Sequence, residues 1–178
     1  DPAFEKLLKD AGLSLKMGGD DPRRDEVRGK AKVIAKKIGK NYIEGRIGLI
    51  IDGTGKKYDG IAKQKAELES LGYDCYMIFV NTSIDVALQR NTKRDRVVPE
   101  SIVISSWKAV QSNIGKFNNL FKNGMIIVDN NKTDEDVEMM TFKRVKALLK
   151  NKVTNRRAKQ WVEMEMQRRG ITKKPKGF

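Results

Sequence analysis

Three short apolar runs, at residues 47–51, 73–80 and 125–128, most constrain what this chain can fold into. Each run has the length of a single strand and is followed by polar residues. Apolar runs of this kind are typical of strands that are buried on both faces of a parallel sheet. They are much shorter than the roughly 18 consecutive apolar residues of a membrane-spanning helix, so the sequence excludes a membrane protein.

Segments with helical periodicity separate the runs, and several of them end at a glycine that would stop a helix. The sequence predicts helices at about residues 2–11, 27–44, 59–71, 82–91, 102–114, 133–149 and 154–169. Strands that alternate with helices predict an α/β fold, with a mainly parallel sheet flanked by helices in three layers and joined by right-handed crossovers. We predict one domain over residues 1–149, with a lid at about 90–99, and a basic C-terminal helix and tail over 150–178.

The composition excludes several kinds of catalytic site. The 178 residues include no histidine and a single cysteine, Cys75, so a Cys/His zinc site, a Ser-His-Asp triad and an internal disulfide are impossible. Without a base to activate it, Cys75 is expected to be a half-buried small residue rather than a nucleophile. One cysteine and no signal peptide predict a cytoplasmic protein. Because the chain starts at Asp1 rather than at Met, we also expect its N-terminus to be incomplete.

Ligands of open parallel sheets bind at the carboxyl ends of the strands, and polar residues follow all three predicted strands. These residues are Asp52 and Thr54, then Asn81, Thr82 and Ser83, then Asp129. An apolar strand that ends in Asp has the form of a Walker B element, whose carboxylate holds Mg²⁺ beside nucleotide phosphates. Asp52 is therefore a candidate metal ligand and Thr54 a candidate cofactor-binding residue. The alternative is that Asp52 and Gly53 form an ordinary turn.

A second constellation consists of Arg90, Lys93, Arg94 and Arg96, shortly before Pro99. Arg90 and Arg94 are four residues apart, so on a helix both guanidinium groups would project from one face and could clamp a phosphoryl group. The alternative is a solvated basic helix end that the helix dipole favours.

The residues from 49 onward resemble the kinase domain of phage polynucleotide kinase and its relatives, including the zeta-toxin-like P-loop kinases. The resemblance rests on Leu-Ile-Ile-Asp-Gly-Thr at 49–54, Gly-Tyr at 72–73, Arg-Asn-Thr-Lys-Arg at 90–94 and Val-Pro at 98–99. The run at 90–94, with Val-Pro shortly after it, is the most specific part, and the resemblance covers about residues 1–130. It implies a P-loop kinase-like sheet and a reaction that uses ATP and Mg²⁺.

The resemblance also implies roles for individual residues. Arg90 and Arg94 correspond to the lid arginines that contact the ATP phosphates, and Lys93 lies between them. Asp52 corresponds to the acidic residue at a strand end that organises the metal. Asp1 stands where the family has the Asp that accepts the proton of the attacking 5′-hydroxyl.

The phosphate-binding loop of such kinases, G-x-x-x-x-G-K-[ST], does not occur in this sequence. Residues 53–57 have similar letters but follow the wrong strand. We therefore expect roughly 25 to 40 residues upstream of Asp1 that supply a strand, the loop and a second strand, which is the length of one βαβ crossover. Without them, the strands predicted at 47–51 and 73–80 would have unpaired edges.

The sequence thus predicts an ATP-dependent phosphotransferase that acts on a hydroxyl of a nucleic-acid 5′ end or of a nucleotide-like substrate. Two alternatives stay open: an inactive kinase-like module that binds nucleic acid, and a zeta-toxin-like kinase of a small molecule. Residues 150–178 carry ten Lys and Arg against two Glu, a net charge of +8 within a total of +14. Such a segment predicts binding to nucleic acid, or else a solvated helix and tail; no membrane partner is expected.

Overall fold

The computed structural model describes residues 2–14, 21–94, 97–132, 135–175 and 177. Their helices and strands are α1 Pro2–Asp10, α2 Arg23–Glu44, α3 Tyr58–Leu71, β1 Met77–Asn81, α4 Ile84–Thr92, α5 Glu100–Phe121, a 3₁₀ turn Lys122–Gly124, β2 Met125–Asp129, α6 Glu135–Leu148 and α7 Arg156–Arg169. Within these ranges, none of the helices combines the length and the apolarity that crossing a bilayer requires. The residues form two compact units. One holds the described residues up to Gly53 together with Ala87–Ile104, and the other holds Thr54–Val86 together with those from Ser105 onward.

The core of the first unit lies between α1 and α2. Phe4 and Leu8, one turn apart on α1, are buried together with Val27 and Ala31, one turn apart on α2. Gly12 ends α1 with a φ of +66°, a conformation that a residue with a Cβ rarely adopts. Both helices confirm the sequence prediction, because their apolar residues recur at helical spacing.

The prediction of a buried strand at residues 47–51 is wrong for this structure. The segment forms neither helix nor strand, and Ile50 is fully exposed while Ile47 and Ile51 are about half exposed. A parallel strand needs a hydrogen-bonded neighbour, and in the part of the chain that the structure describes β1 and β2 pair only with each other. The apolar composition of the segment was therefore not sufficient to make it a strand.

The second unit contains the sheet, which has two parallel strands. Met77 of β1 pairs with Met125 of β2, and the register continues to Asn81 and Asp129. On one face, Phe79 packs on the fully buried Phe117 of α5, with ring centroids 6.4 Å apart. The strand predictions at 73–80 and 125–128 are confirmed in position, although β1 starts only at Met77. The chain therefore has a mixed α/β fold that is mostly helical, with a smaller sheet than predicted.

Helix α7 packs against α3 in this second unit. Gly72, which ends α3 with a φ of +110°, allows the close approach, since a Cβ there would lie 3.1 Å from the Ala158 backbone nitrogen. The Asn155 side chain caps α7 and also donates a 2.8 Å hydrogen bond to the Glu69 carbonyl. Val162 is buried on the same helix. The basic C-terminal helix is therefore anchored to the α/β unit by specific contacts.

Candidate functional site

The carboxyl ends of β1 and β2 are joined by a polar cluster. The Asn130 amide donates to the Asn81 carbonyl at 2.8 Å, which extends the pairing one residue past the sheet. The Asn131 side-chain oxygen accepts the Ser83 amide at 2.7 Å, while the Asn131 amide donates to the Asp129 carboxylate at 3.0 Å. The polar residues that follow these two strands therefore meet at one edge of the sheet.

Helix α5 completes this cluster with two side chains one turn apart. The Trp107 indole donates to the Thr82 carbonyl at 2.7 Å, and the Gln111 amide donates to the Asn81 side chain at 2.9 Å. Trp107 is half-buried and uses its polar atom to hold the strand end. Gln111 was not predicted from the sequence. The signal that could have found it is its position one turn after Trp107 on the same helix.

Helix α4 starts at Ile84, two residues after the predicted start. Thr82 and Asp85 have the sequence form of a capping box, but the Ser83 hydroxyl accepts the Val86 amide at 3.4 Å. Thr82 instead supplies its carbonyl to Trp107. Both hydroxyl residues are chemically able to cap a helix, so the tertiary contact of Thr82 decides which one does.

The loop at residues 53–57 is held against α5. Asn113, which is 6% exposed, donates from its side-chain amide to the Gly55 and Lys56 carbonyls, both at 3.1 Å. Gly55 has a φ of +72°, and a Cβ there would lie 3.7 Å from the Phe117 ring. Thr54, a predicted cofactor-binding residue, is exposed on this loop. The anchoring Asn113 was missed because the sequence does not reveal which carbonyls it meets.

Asp52, the predicted metal ligand, is exposed in the irregular segment before this loop. Among the described residues no hydrogen bond or ion pair joins it to Arg90 or Arg94. The same ranges contain no group of three Asp, Glu or Cys side chains that could hold a metal by themselves. A metal at Asp52 would therefore need further ligands, and phosphate oxygens are the usual ones for Mg²⁺.

The described residues 90–94, 97 and 98, which we call the arginine loop, begin in the last turn of α4 in the first unit. Arg90 is half-buried on the helix, whereas Lys93 and Arg94 are exposed. Because α4 ends at Thr92, the expected spacing of the two arginines on one helical face does not extend to Arg94. Instead, Arg94 is held by a turn in which its amide donates to the Asn91 carbonyl at 3.4 Å.

Neither arginine forms an ion pair with any residue that the structure describes. Eight other Lys and Arg side chains in the same ranges do pair with an acidic residue, as Arg168 and Arg169 do with Glu165 at 2.8 and 3.0 Å. Two guanidinium groups without acidic partners are a suitable arrangement for an anionic ligand. Asp1 and Arg96 lie outside the described residues.

Cys75 is half-buried, as expected. Burial raises the pKa of its thiol, and the nearby Glu69 carboxylate raises it further. A thiol with a raised pKa is mostly protonated at neutral pH and is a poor nucleophile. The structure therefore gives Cys75 no activating environment.

A model of the zeta toxin family matches residues 14–138. This range is more than half of the chain and includes both strands, Asp52 and the arginine loop. The chain belongs to the zeta toxin family. That family is P-loop kinase-like and indicates an ATP-dependent phosphotransferase. No curated protein and no solved structure gives a significant match to the chain.

Some residues of this chain are suited to bind ATP and Mg²⁺, as a zeta-toxin-like kinase must. Arg90 and Arg94 match the charge of phosphates, and Asp52 has the one carboxylate that Mg²⁺ commonly takes from protein when phosphates complete its shell. The backbone cradle of a phosphate loop is not encoded in these residues. Helix α7 lies beyond the family match, so its basic surface is a feature of this chain rather than of the matched region.

Proposed function

We propose that this chain belongs to an ATP- and Mg²⁺-dependent kinase that phosphorylates a hydroxyl of a nucleic-acid 5′ end or of a nucleotide-like substrate. The observation that carries the proposal is the arginine loop, which lies within the zeta toxin match and has two guanidinium groups with no acidic partner among the described residues. Charge stabilisation at a transferring phosphoryl group is the largest contribution that a protein makes to this reaction.

The proposed roles follow from the chemistry of each group. Asp1 accepts the proton of the attacking hydroxyl. Asp52 holds Mg²⁺, which when bound neutralises charge on the phosphate oxygens. Arg90 and Arg94 hold the phosphoryl oxygens as negative charge moves across them, and Lys93 adds a third cation at the same loop.

The first turn of α7 supports a nucleic-acid substrate. Arg156, Arg157 and Lys159 are exposed there, and no acidic residue accompanies them. Cations are unfavourable near a helix N-terminus because of the helix dipole, so this placement does not stabilise the fold. A phosphate backbone bound to this turn would offset that repulsion.

Arg94→Ala in the complete protein tests the kinase proposal. We expect kcat/KM for phosphoryl transfer from ATP to fall by about 10³-fold or more, as when other charge-clamping arginines are removed. The matched control is Lys108→Ala, which removes an exposed cation of α5 and should leave the rate unchanged. An unchanged rate in Arg94→Ala, with folding retained, would exclude the clamp.

A panel of acceptors separates the substrate classes. DNA and RNA with 5′-hydroxyl ends should be phosphorylated faster than mononucleotides or sugar nucleotides. The family match favours one further candidate, a zeta-toxin-like kinase of a small molecule, and transfer confined to sugar nucleotides would support that candidate instead. Binding of nucleic acid with no transfer to any acceptor would indicate the inactive binding module.

The salt dependence of nucleic-acid binding tests the α7 surface. Replacing Arg156 and Arg157 together by Ala should reduce the slope of log K against log salt by about 2, because each lost phosphate contact removes roughly one unit. The control replaces Arg168 and Arg169, which already pair with Glu165, and should change the slope less. Equal effects of the two double variants would refute a contact at the first turn.

A further inference from the structure

Asn91 closes the arginine loop with both ends of its side-chain amide. Its Nδ2 donates to the Val98 carbonyl at 2.7 Å, and its Oδ1 accepts the Val98 amide at 3.0 Å. The side chain is buried, with 9% of Asn91 exposed. The two bonds pair Asn91 with Val98, seven positions later in the chain, as a neighbouring strand would.

The backbone of Asn91 also holds the arginine loop, through a hydrogen bond within the loop. Its carbonyl accepts the Arg94 amide at 3.4 Å, so one residue fixes both the turn that carries Arg94 and the point where the chain returns. The side chains of Lys93 and Arg94 are exposed and have no ion pair within the described ranges. Exposed loops without such anchors sample many conformations, which would spread the position of the guanidinium group.

We propose that Asn91 is a positioning residue that holds Arg94 in place for phosphoryl transfer, an inference that rests on the proposed kinase function. The chemistry explains the residue type. Only a primary amide presents a donor and an acceptor side by side at this length, which the Val98 carbonyl and amide require. An Asp would lose the donor and place its charge against the carbonyl and beside the arginines.

The closure is tested without any assay of activity. In Asn91→Ala we expect the Val98 amide to exchange hydrogen at least about tenfold faster, since two hydrogen bonds are lost. Trypsin should cleave after Lys93 and Arg94 correspondingly faster. The control is Thr92→Ala, which removes only an exposed bond to the Gln89 carbonyl. Unchanged protection of Val98 in Asn91→Ala would overturn the inference.

A double-mutant cycle in the complete protein tests the positioning role. Asn91→Ala should lower kcat by about 10- to 100-fold with little change in KM for the acceptor, because a misplaced arginine loses interactions made in the transition state. In the Arg94→Ala background the same change should have no further effect. Additive effects would indicate a merely structural role and overturn the inference.

The outcomes separate this inference from the function on which it rests. A fully active Arg94→Ala would refute the clamp and, with it, the role of Asn91. An inactive Arg94→Ala beside a fully active Asn91→Ala would refute the role of Asn91 alone. Should Asn91→Ala fail to fold by circular dichroism, Asn91→Asp keeps the side-chain volume and the acceptor of the Val98 amide but removes the donor to the Val98 carbonyl. Its kcat should fall in the same way, with no further effect in the Arg94→Ala background, while the Val98 amide keeps its protection.

Discussion

Replacing Gly72 by Ala should weaken the attachment of α7 to the rest of its unit. Gly72 has a φ of +110°, and a Cβ there would lie 3.1 Å from the Ala158 backbone nitrogen and 3.4 Å from its Cα. Both neighbours are backbone atoms of α7, so neither can rotate away as a side chain would. The substitution therefore strains the end of α3 and pushes α7 outward at once.

The magnitude follows from these two effects. A residue with a Cβ in this backbone conformation costs about 1–3 kcal/mol, and an overpacked contact with backbone adds about 1 kcal/mol or more. The reduced entropy of the unfolded chain offsets about 0.4–1 kcal/mol of this. We expect the free energy of unfolding to fall by about 1–4 kcal/mol.

Denaturant unfolding followed by circular dichroism measures this change. The amide hydrogens of α7 should exchange faster in the variant than in the unmodified chain. The matched control is Gly60→Ala in the same helix α3, where the added methyl group meets no atom within 4 Å. That control should stabilise the protein by about 0.5–1 kcal/mol, because Ala favours a helix interior over Gly. If Gly72→Ala were as stable as the unmodified chain, the described approach of α7 to α3 would be refuted.

Two further predictions concern stability and pH. Phe117→Ala should lower the free energy of unfolding, measured by denaturant unfolding, by about 3–5 kcal/mol, because Phe117 is fully buried. The control is Phe142→Ala, which should change it by less than about 0.5 kcal/mol because the Phe142 side chain is mostly exposed. Hydrogen bonds from the Arg23 side chain and amide lower the pKa of Asp21 to about 2, so the stabilisation that they give is present above about pH 4 and is lost as the pH falls towards 2. A carboxyl NMR titration should find the Asp21 midpoint near 2 and, in Arg23→Ala, at a higher pH, because the side-chain hydrogen bonds are lost while the backbone amide bond remains; equal midpoints would contradict the described ion pair.

Local features of the fold, such as the ends of helices, could be predicted from the sequence, whereas the pairing of strands could not. Helices α1, α3 and α7 end at Gly12, Gly72 and Gly170 as predicted, because a left-handed C-terminus is encoded by one residue. The segment at 47–51 has the composition of a strand, but a strand exists only beside another one. Its apolar side chains therefore indicated a buried environment, but they did not show which strand would pair with the segment.

The same distinction applies to the candidate site. Arg90 and Arg94 could be identified from their run of residue types, yet the end of α4 at Thr92 placed Arg94 on a turn rather than on the helix. Asn91, in the middle of that run, gave no signal of its own. Its importance depends on Val98, seven residues later, having a carbonyl and an amide that face it.

Asparagine side chains hold three of the irregular segments in the part of the chain that the structure describes. Asn91 closes the arginine loop, Asn113 holds the Gly55 and Lys56 carbonyls, and Asn131 ties the two strand ends together. Carboxylates could accept hydrogen bonds at such places but could not donate them to carbonyls. They would also neutralise nearby cations, including Lys93 and Arg94 beside Asn91. Neutral amides therefore order these loops without removing the positive charge that the proposed binding to phosphate requires.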